Sequence, residues 1–137
     1  MSARKLNVAL LFGGKSAEHD VSILSARSIR DAASKDRFQM TPVCIARNGR
    51  FVGPERSARI LDGAEKANEG DESFSFESWL REAQIDIVFP IVHGTFGEDG
   101  THQGYLVIVG VPYVGRGVGA SAVGMDKEMM KQAFIAA

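Results

Sequence analysis

The residues best suited to chemistry stand in one glycine-rich stretch, His93 to Gly104, directly after a fully apolar run, Ile87 to Val92. Imidazole, carboxylate, hydroxyl and amide side chains are interspersed there with four glycines, which free the backbone for turns and for close approach to a ligand. The apolar run predicts a buried strand of a parallel sheet. Because open α/β sheets bind ligands past the ends of such strands, the stretch predicts a binding or catalytic loop. A solvated surface turn is the alternative.

The histidines and carboxylates of this chain also raise the question of a metal site. No two histidines have the i, i+4 spacing of a helical metal site, so we predict no metal held by protein side chains alone. His19 and His102 are expected to be solvated or structural rather than catalytic.

A second glycine loop starts at Gly13 and Gly14, after the apolar run Leu6 to Phe12. Strand, glycine loop and helix form the first half of a nucleotide-binding unit, but the dinucleotide fingerprint needs glycine where Lys15 and Glu18 stand. A carboxylate at the place of a pyrophosphate argues against a bound phosphate. Glu18 therefore predicts a site for a cationic ligand group, and a mere charge at the start of a helix is the alternative.

The elements that must position these loops form an α/β pattern. Val21 to Ser34 has helical spacing, with Asp20 as the expected N-cap. A strand is predicted over Phe38–Ala46, followed by a type I′ hairpin at Asn48-Gly49. The segment over 53–75 is predicted to be irregular and mobile, with one helical turn near Ala58–Leu61. A short helix over Phe76–Glu82, with Trp79 and Leu80 facing inward, and a short strand over Val111–Val114 complete the pattern. Together they predict a Rossmann-like, three-layer domain with a mostly parallel sheet.

Two segments near the end of the chain need a separate interpretation. Tyr105 to Val109 favours a strand by propensity, but a helix that begins near Thr101 is preferred, since it places Gln103 in its first turns. A terminal helix is expected over Lys127–Ala137, capped by Asp126, with an apolar stripe formed by Met129, Met130, Phe134 and Ile135. The sequence stops inside this helix without a stop signal, which suggests a truncation.

Composition limits the function classes. The 137 residues suit one core, with 45% hydrophobic and 24% charged residues and a net charge of −1, so nothing indicates a general nucleic-acid or membrane binder. The single cysteine, Cys44, lies in an apolar run and is expected to be a core residue of a protein in the reducing cytoplasm.

Three motifs, taken in order, resemble a known family. They are Gly13-Gly14-Lys15-Ser16-Ala17-Glu18-His19-Asp20-Val21-Ser22, the stretch from His93-Gly94 to Gln103-Gly104, and Gly117-Val118-Gly119-Ala120-Ser121-Ala122 with Met125-Asp126-Lys127. Together they resemble the amino-terminal part of D-alanine–D-alanine ligases, members of the ATP-grasp superfamily. The resemblance implies a pre-ATP-grasp amino-terminal domain over residues 1–122 and the truncated start of the central ATP-grasp domain over residues 123–137.

The resemblance also implies a reaction. These ligases use ATP and Mg²⁺ to phosphorylate one D-alanine, and the amine of a second D-alanine attacks the acyl phosphate to give a peptidoglycan precursor. Glu18 matches the catalytic glutamate that holds the ammonium of the first D-alanine, and His93-Gly94 matches the substrate side of the cleft. Lys127 matches a lysine that reaches the nucleotide phosphates. The expected loop-shaping residues are Gly13, Gly14, Gly97, Glu98, Asp99 and Gly100.

Other implications concern what this chain lacks. ATP and Mg²⁺ would be held mainly by residues absent from it, so the fragment alone is expected to be inactive, and the complete enzyme is expected to be a cytoplasmic homodimer. Arg116, where the family has a small polar residue, and the aliphatic Val107 and Ile108 are departures from the pattern. The alternatives are a stand-alone amino-acid-binding module and a D-alanine–D-lactate ligase. A nicotinamide-dependent oxidoreductase is disfavoured by the broken glycine fingerprint.

Overall fold

The computed structural model describes residues 3–94, 99–115, 117 and 127–136. In chain order the elements are β1 (Leu6–Gly13), α1 (His19–Ala32), β2 (Phe38–Ile45), β3 (Phe51–Val52), α2 (Pro54–Leu61), α3 (Phe76–Glu82), β4 (Ile87–Ile91), α4 (Thr101–Val109) and α5 (Lys127–Ala136). Among these helices, none is long and apolar enough to cross a membrane.

The sheet is mostly parallel, as the apolar runs predict. Its strand order is β3-β2-β1-β4, with β1 parallel to both neighbours and β3 antiparallel to β2. The central strand β1 is buried from Val8 onward on both faces, which explains why its sequence is continuously apolar rather than alternating. The predicted α/β fold is confirmed.

Helices cover both faces of this sheet and make the three layers. Ala9 and Leu11 of β1 point to one face, where they share a core with Phe76 and Leu80 of α3 and Leu106 of α4. The alternate residues of β1 pack on the opposite face with α1, α2 and Cys44. Burial raises the pKa of the Cys44 thiol to about 12, so this cysteine is a protonated core residue, as predicted.

The strand order creates a crevice between β1 and β4. The chain passes from β1 through α1 to β2 on one side of β1, whereas β4 pairs on its other side. The loops that follow β1 and β4 therefore separate at the carboxyl edge of the sheet, where doubly wound folds bind their ligands. Both glycine-rich loops singled out in the sequence start at this edge.

Two local predictions about turns are wrong. Helix α1 starts at His19, with Glu18 at the N-cap position, and Asp20 lies inside the first turn, where its carboxylate pairs with Arg47 at 2.7 Å. The hairpin after β2 is not type I′, which would need positive φ at Asn48 as well as at Gly49. Its loop spans residues 47–49, and Gly49 alone takes a positive φ, so the extra residue relieves Asn48 of that strain.

The segment over residues 53–75 is more regular than its composition suggests. Helix α2 covers eight residues rather than one turn, and Pro54 at its first position was the overlooked start signal. Arg56 pairs with Glu65 and, at 2.8 Å, with Asp71, whose carboxylate also accepts the Gly53 N–H. Sequence spacing could not show these pairs, because they join residues 9 to 18 positions apart.

The predictions for the second half of the chain have mixed outcomes. Residues 101–109 form a helix, as preferred, and in α3 Leu80 is buried while Trp79 is half-buried against the same core. The strand predicted over Val111–Val114 is reduced to a single parallel bridge between Val88 and Tyr113. Helix α5 is present, but its apolar side chains Met129, Phe134 and Ile135 are exposed. Asp126 and Arg116 lie outside the described residues.

We expect Gly13 to be the least replaceable glycine of the sheet edge. Its φ is +93°, and an added Cβ would collide with the Ile45 carbonyl oxygen and approach Cys44 Sγ within 2.9 Å. Gly110 is a matched control, since its φ is +80° but its missing Cβ faces open space. Gly13→Ala should therefore lower the free energy of unfolding by about 1–3 kcal/mol more than Gly110→Ala, measured by denaturant titration. Equal losses would show that only backbone strain matters.

Candidate functional site

One face of α1 is directed at the end of β4. Glu18, Ser22 and Ser25 follow one another at intervals of four and three residues, so they share one face of the helix. Each of them reaches a different residue at the end of β4 or just after it, namely Gly94, Ile91 and His93 in that order. The face ties the helix to the strand that carries the second glycine-rich loop.

The turn after β1 is fixed by buried hydrogen bonds. Gly14 donates its N–H to the Ile45 carbonyl at 2.8 Å, and its own carbonyl accepts from His19 Nδ1 at 2.7 Å. Since a carbonyl can only accept, Nδ1 of His19 carries the hydrogen. His19 is 1% exposed, so it is a structural residue, one of the two roles expected for it.

Ser22 joins the same turn to β4. Its hydroxyl oxygen accepts the Gly13 N–H at 2.8 Å, and its hydroxyl hydrogen is donated to the Ile91 carbonyl. The side chain is fully buried, so both backbone groups would lack a partner without it. The left-handed Gly13-Gly14 turn, predicted to shape the loop, is thus locked to β2 on one side and to β4 on the other.

Ser16 links Glu18 and His93, the two residues that are predicted to bind substrate. Its hydroxyl donates to the His93 carbonyl at 2.8 Å and accepts the Glu18 N–H at 3.2 Å. A Cβ added at Gly94 would stand 2.5 Å from Glu18 Oε2 and 3.0 Å from Ser16 Oγ. The Glu18 carboxylate therefore packs directly on the Gly94 backbone, and the space between them admits no side chain.

The carboxylate of Glu18 and the imidazole of His93 differ in their exposure to solvent and in their neighbours. Glu18 is exposed at the first turn of α1, where the helix dipole and free N–H groups favour a negative charge. His93 is half-buried, and its Nε2 lies 3.1 Å from Ser25 Oγ. The structure thus places a solvent-facing carboxylate at the β1–β4 crevice, against Gly94, the residue that follows His93, and such a carboxylate can hold an ammonium group.

The start of α4 forms the far end of the same loop. Gly100 takes a φ of +97° at the N-cap position, and Asp99 accepts the Thr101 N–H at 3.0 Å, so both occupy the turn that begins the helix. Burial lowers the pKa of His102, against the opposing effect of Asp99, which favours a neutral ring at pH 7. Gly97 and Glu98, also predicted to shape this loop, lie outside the described residues.

The remaining candidates are not part of this arrangement. Lys127 is exposed at the first position of α5. In residues 3–94, 99–115, 117 and 127–136, no group of three or more His, Cys, Asp or Glu side chains is placed to hold a metal ion. Sequence reasoning missed the serines Ser16, Ser22 and Ser25, although the spacing of the last two from Glu18 was a signal that could have found them.

The chain is similar to known proteins over most of its length. Residues 7–116 match the family described as the D-ala D-ala ligase N-terminus. The chain is 42% identical over 133 residues to a D-alanine–D-alanine ligase of Halothermothrix orenii, which covers 95% of this chain and 39% of the relative. A ligase of the same name from Deinococcus radiodurans is 44% identical over 128 residues, covering 93% and 37%.

Solved structures show the same likeness. The D-alanine–D-alanine ligase of Coxiella burnetii has a TM-score of 0.73 and 32% identity, over 96% of this chain and 42% of that one. The VanG D-Ala:D-Ser ligase of Enterococcus faecalis has a TM-score of 0.71 and 26% identity, over 94% and 41%. The chain spans about two fifths of the length of the relatives it matches. Because residues 7–116 match this family, the chain belongs to the family of D-alanine–D-alanine ligase amino-terminal domains.

Proposed function

We propose that this chain is the amino-terminal domain of an ATP-dependent ligase that joins two D-alanines through an acyl phosphate to make a peptidoglycan precursor in the cytoplasm. The observation that carries the proposal is the Glu18 carboxylate packed on Gly94 beside His93, at the crevice between β1 and β4. The family membership and the names of the similar ligases support it.

Glu18 acts by holding the ammonium of the first D-alanine. An ionised carboxylate only accepts hydrogen bonds, and an ammonium has three donors, so the pair makes a charge-assisted bond. Position 94 is glycine, so the backbone after β4 approaches the Glu18 carboxylate closely. Fixing the ammonium end leaves the carboxylate of D-alanine free to react and gives the substrate one orientation.

His93 and its loop form the second wall of the substrate site. The His93 carbonyl is held by Ser16 and its ring lies against Ser25, so both ends of the residue are fixed to the β1–α1 segment. Any movement of that segment would therefore move His93 together with Glu18. This coupling allows the two groups to meet one substrate as a unit.

In this proposal ATP and magnesium are bound mainly by residues that this chain does not include. Magnesium prefers oxygen ligands in octahedral geometry, and the described part of the chain offers no cluster of acidic side chains for it. We assign both to the three fifths of the relatives' length that this chain does not span. In this proposal residues 1–122 form the amino-terminal domain, residues 123–137 begin the central domain, and Lys127 contributes a point charge to the nucleotide phosphates.

The second substrate and the oligomer belong to the same proposal. A similar structure is named a D-Ala:D-Ser ligase, so a second substrate other than D-alanine, such as D-lactate, is the closest alternative. A stand-alone amino-acid-binding module is the other. We infer a homodimer, because the exposed apolar side chains Ile108, Phe134 and Ile135 favour burial against a partner surface.

Two measurements on the native gene product test the proposal. Its intact mass should correspond to two to three times the length of this chain, the ratio that the relatives' coverage implies. The purified product should release ADP only when D-alanine is present and should form the dipeptide. A product of 137 residues that binds D-alanine without turnover would support the stand-alone module instead.

The isolated 137-residue chain should have no ligase activity. The physical reason is that the described residues supply the ammonium site but no magnesium ligands. A coupled ADP assay with ATP, Mg²⁺ and D-alanine checks this, with the full-length product as the positive control. Turnover by the isolated chain would contradict the assignment of domains.

Glu18→Gln in the full-length enzyme should weaken use of the first D-alanine without affecting ATP. Loss of one partner of a partly desolvated ion pair costs about 2–5 kcal/mol, so the KM for the first D-alanine should rise roughly thirtyfold or more. Asp20→Asn is the matched control, since Asp20 lies in the same helical turn but pairs with Arg47 and is largely exposed. An unchanged D-alanine dependence in Glu18→Gln would reduce Glu18 to a charge at a helix start.

A further inference from the structure

The hydroxyl of Ser25 contacts the ring of His93 and makes none of the proposed contacts with substrate. Ser25 lies on α1, one residue before the fully buried Ala26, and shares the helix face of Glu18 and Ser22. Its Oγ lies 3.1 Å from His93 Nε2, across 68 positions of sequence. Ser28, one turn further on, differs, because its hydroxyl donates to the Leu24 carbonyl of its own helix at 3.1 Å.

The direction of the Ser25–His93 hydrogen bond follows from the donors at hand. A neutral imidazole has one N–H donor and one acceptor nitrogen, and a serine hydroxyl has a single hydrogen. In the described part of the chain, the Ser25 hydroxyl makes this hydrogen bond and no other. Donation to Nε2 uses this hydrogen within the protein, whereas the reverse direction would leave the hydrogen of the half-buried hydroxyl to solvent alone.

We propose that Ser25 is a positioning residue that holds the His93 ring against α1 and selects the tautomer with the hydrogen on Nδ1. The partner of one ring nitrogen determines which nitrogen carries the hydrogen, and here Ser25 occupies Nε2. His93 consequently acts as a hydrogen-bond donor through Nδ1. The catalytic consequence of this inference rests on the proposed ligase function, whereas the tautomer does not.

A nuclear magnetic resonance experiment on the full 137-residue chain tests the tautomer directly. Long-range ¹H–¹⁵N correlations at about pH 8.5, above the ordinary histidine pKa of about 6.5, distinguish Nδ1–H from Nε2–H rings. The signals of His93 are identified by their loss in His93→Gln. We expect the Nδ1–H form in the wild-type chain, and a wild-type Nε2–H ring would overturn the proposal.

Three variants separate positioning from general structural effects. Ser25→Ala should shift the His93 ring toward the Nε2–H form, because its Nε2 loses the donor. Ser25→Thr keeps the hydroxyl and should keep the Nδ1–H form, and Ser28→Ala should leave His93 unchanged, since its hydroxyl serves its own helix. An unchanged ring in Ser25→Ala, or an equal shift in Ser28→Ala, would contradict a specific role for Ser25.

The catalytic consequence is measured in the full-length enzyme. Ser25→Ala should lower kcat/KM for D-alanine by up to about tenfold, the effect of losing one neutral hydrogen bond, while Ser25→Thr restores it and Ser28→Ala has no effect. A tautomer shift with unchanged kcat/KM would overturn the positioning role. A full-length wild-type product without ligase activity would instead contradict the proposed function and leave the tautomer result intact.

Discussion

The structure depends on satisfying buried backbone groups where β1 turns into α1. Two loops meet there, and their N–H and C=O groups at Gly13, Gly14 and Ile91 are enclosed by side chains of both cores. Ser22 and His19 supply the missing partners. Each such group left unpaired would cost about 1–3 kcal/mol, so the turn has little freedom to adopt another shape. The position of Glu18 follows from this constraint, because it stands next to the pinned turn at the N-cap position of the helix.

The same constraint explains why a rigid scaffold carries an exposed charge. Glu18 faces solvent while its neighbour His19 is fully buried, so the backbone at Glu18 is anchored in the protein and its carboxylate is accessible to a ligand. An ammonium can approach it without displacing protein, and desolvation of the pair would come from a covering part of the ligase that this chain does not include. In the proposed function, the chain supplies the ammonium-binding part of the site, and the nucleotide-binding part lies in the length of the protein that this chain does not span.

The fold and the positions of the candidate site residues could be predicted from the sequence for physical reasons. Continuous apolar runs are unusual outside parallel sheets, so Leu6–Phe12 and Ile87–Val92 predicted the parallel strands β1 and β4 and the edge of the sheet at which their loops meet. The position of Glu18 in the glycine loop predicted a cationic ligand group, and its role remains a prediction. Sequence reasoning could not show that the Glu18 carboxylate lies against the backbone of Gly94, where a side chain would collide with it, because the two residues are 76 positions apart.

The errors in prediction also have physical causes. Asp20 was a plausible N-cap by residue type, but the turn pinned by His19 starts the helix two residues earlier and leaves Asp20 to pair with Arg47. Helix α2 was predicted as a single turn because its start signal at Pro54 was overlooked and because the ion pairs of Arg56 join residues far apart in sequence. The first case shows a tertiary contact overriding local preference, and the second shows a local signal that was not used. Ser22 and Ser25 were missed although their spacing from Glu18 was a signal, whereas the role of Ser16 depends on a contact with His93 across 77 positions.

The central claim is that the crevice between β1 and β4 holds the ammonium of a D-alanine on Glu18. The most direct test is a crystal structure of the full-length product with D-alanine and a non-hydrolysable ATP analogue. The account predicts the amino nitrogen of one D-alanine at hydrogen-bond distance, about 2.7–3.2 Å, from a Glu18 carboxylate oxygen, on the His93 side of the crevice. A D-alanine bound elsewhere, with Glu18 facing only water, would contradict it.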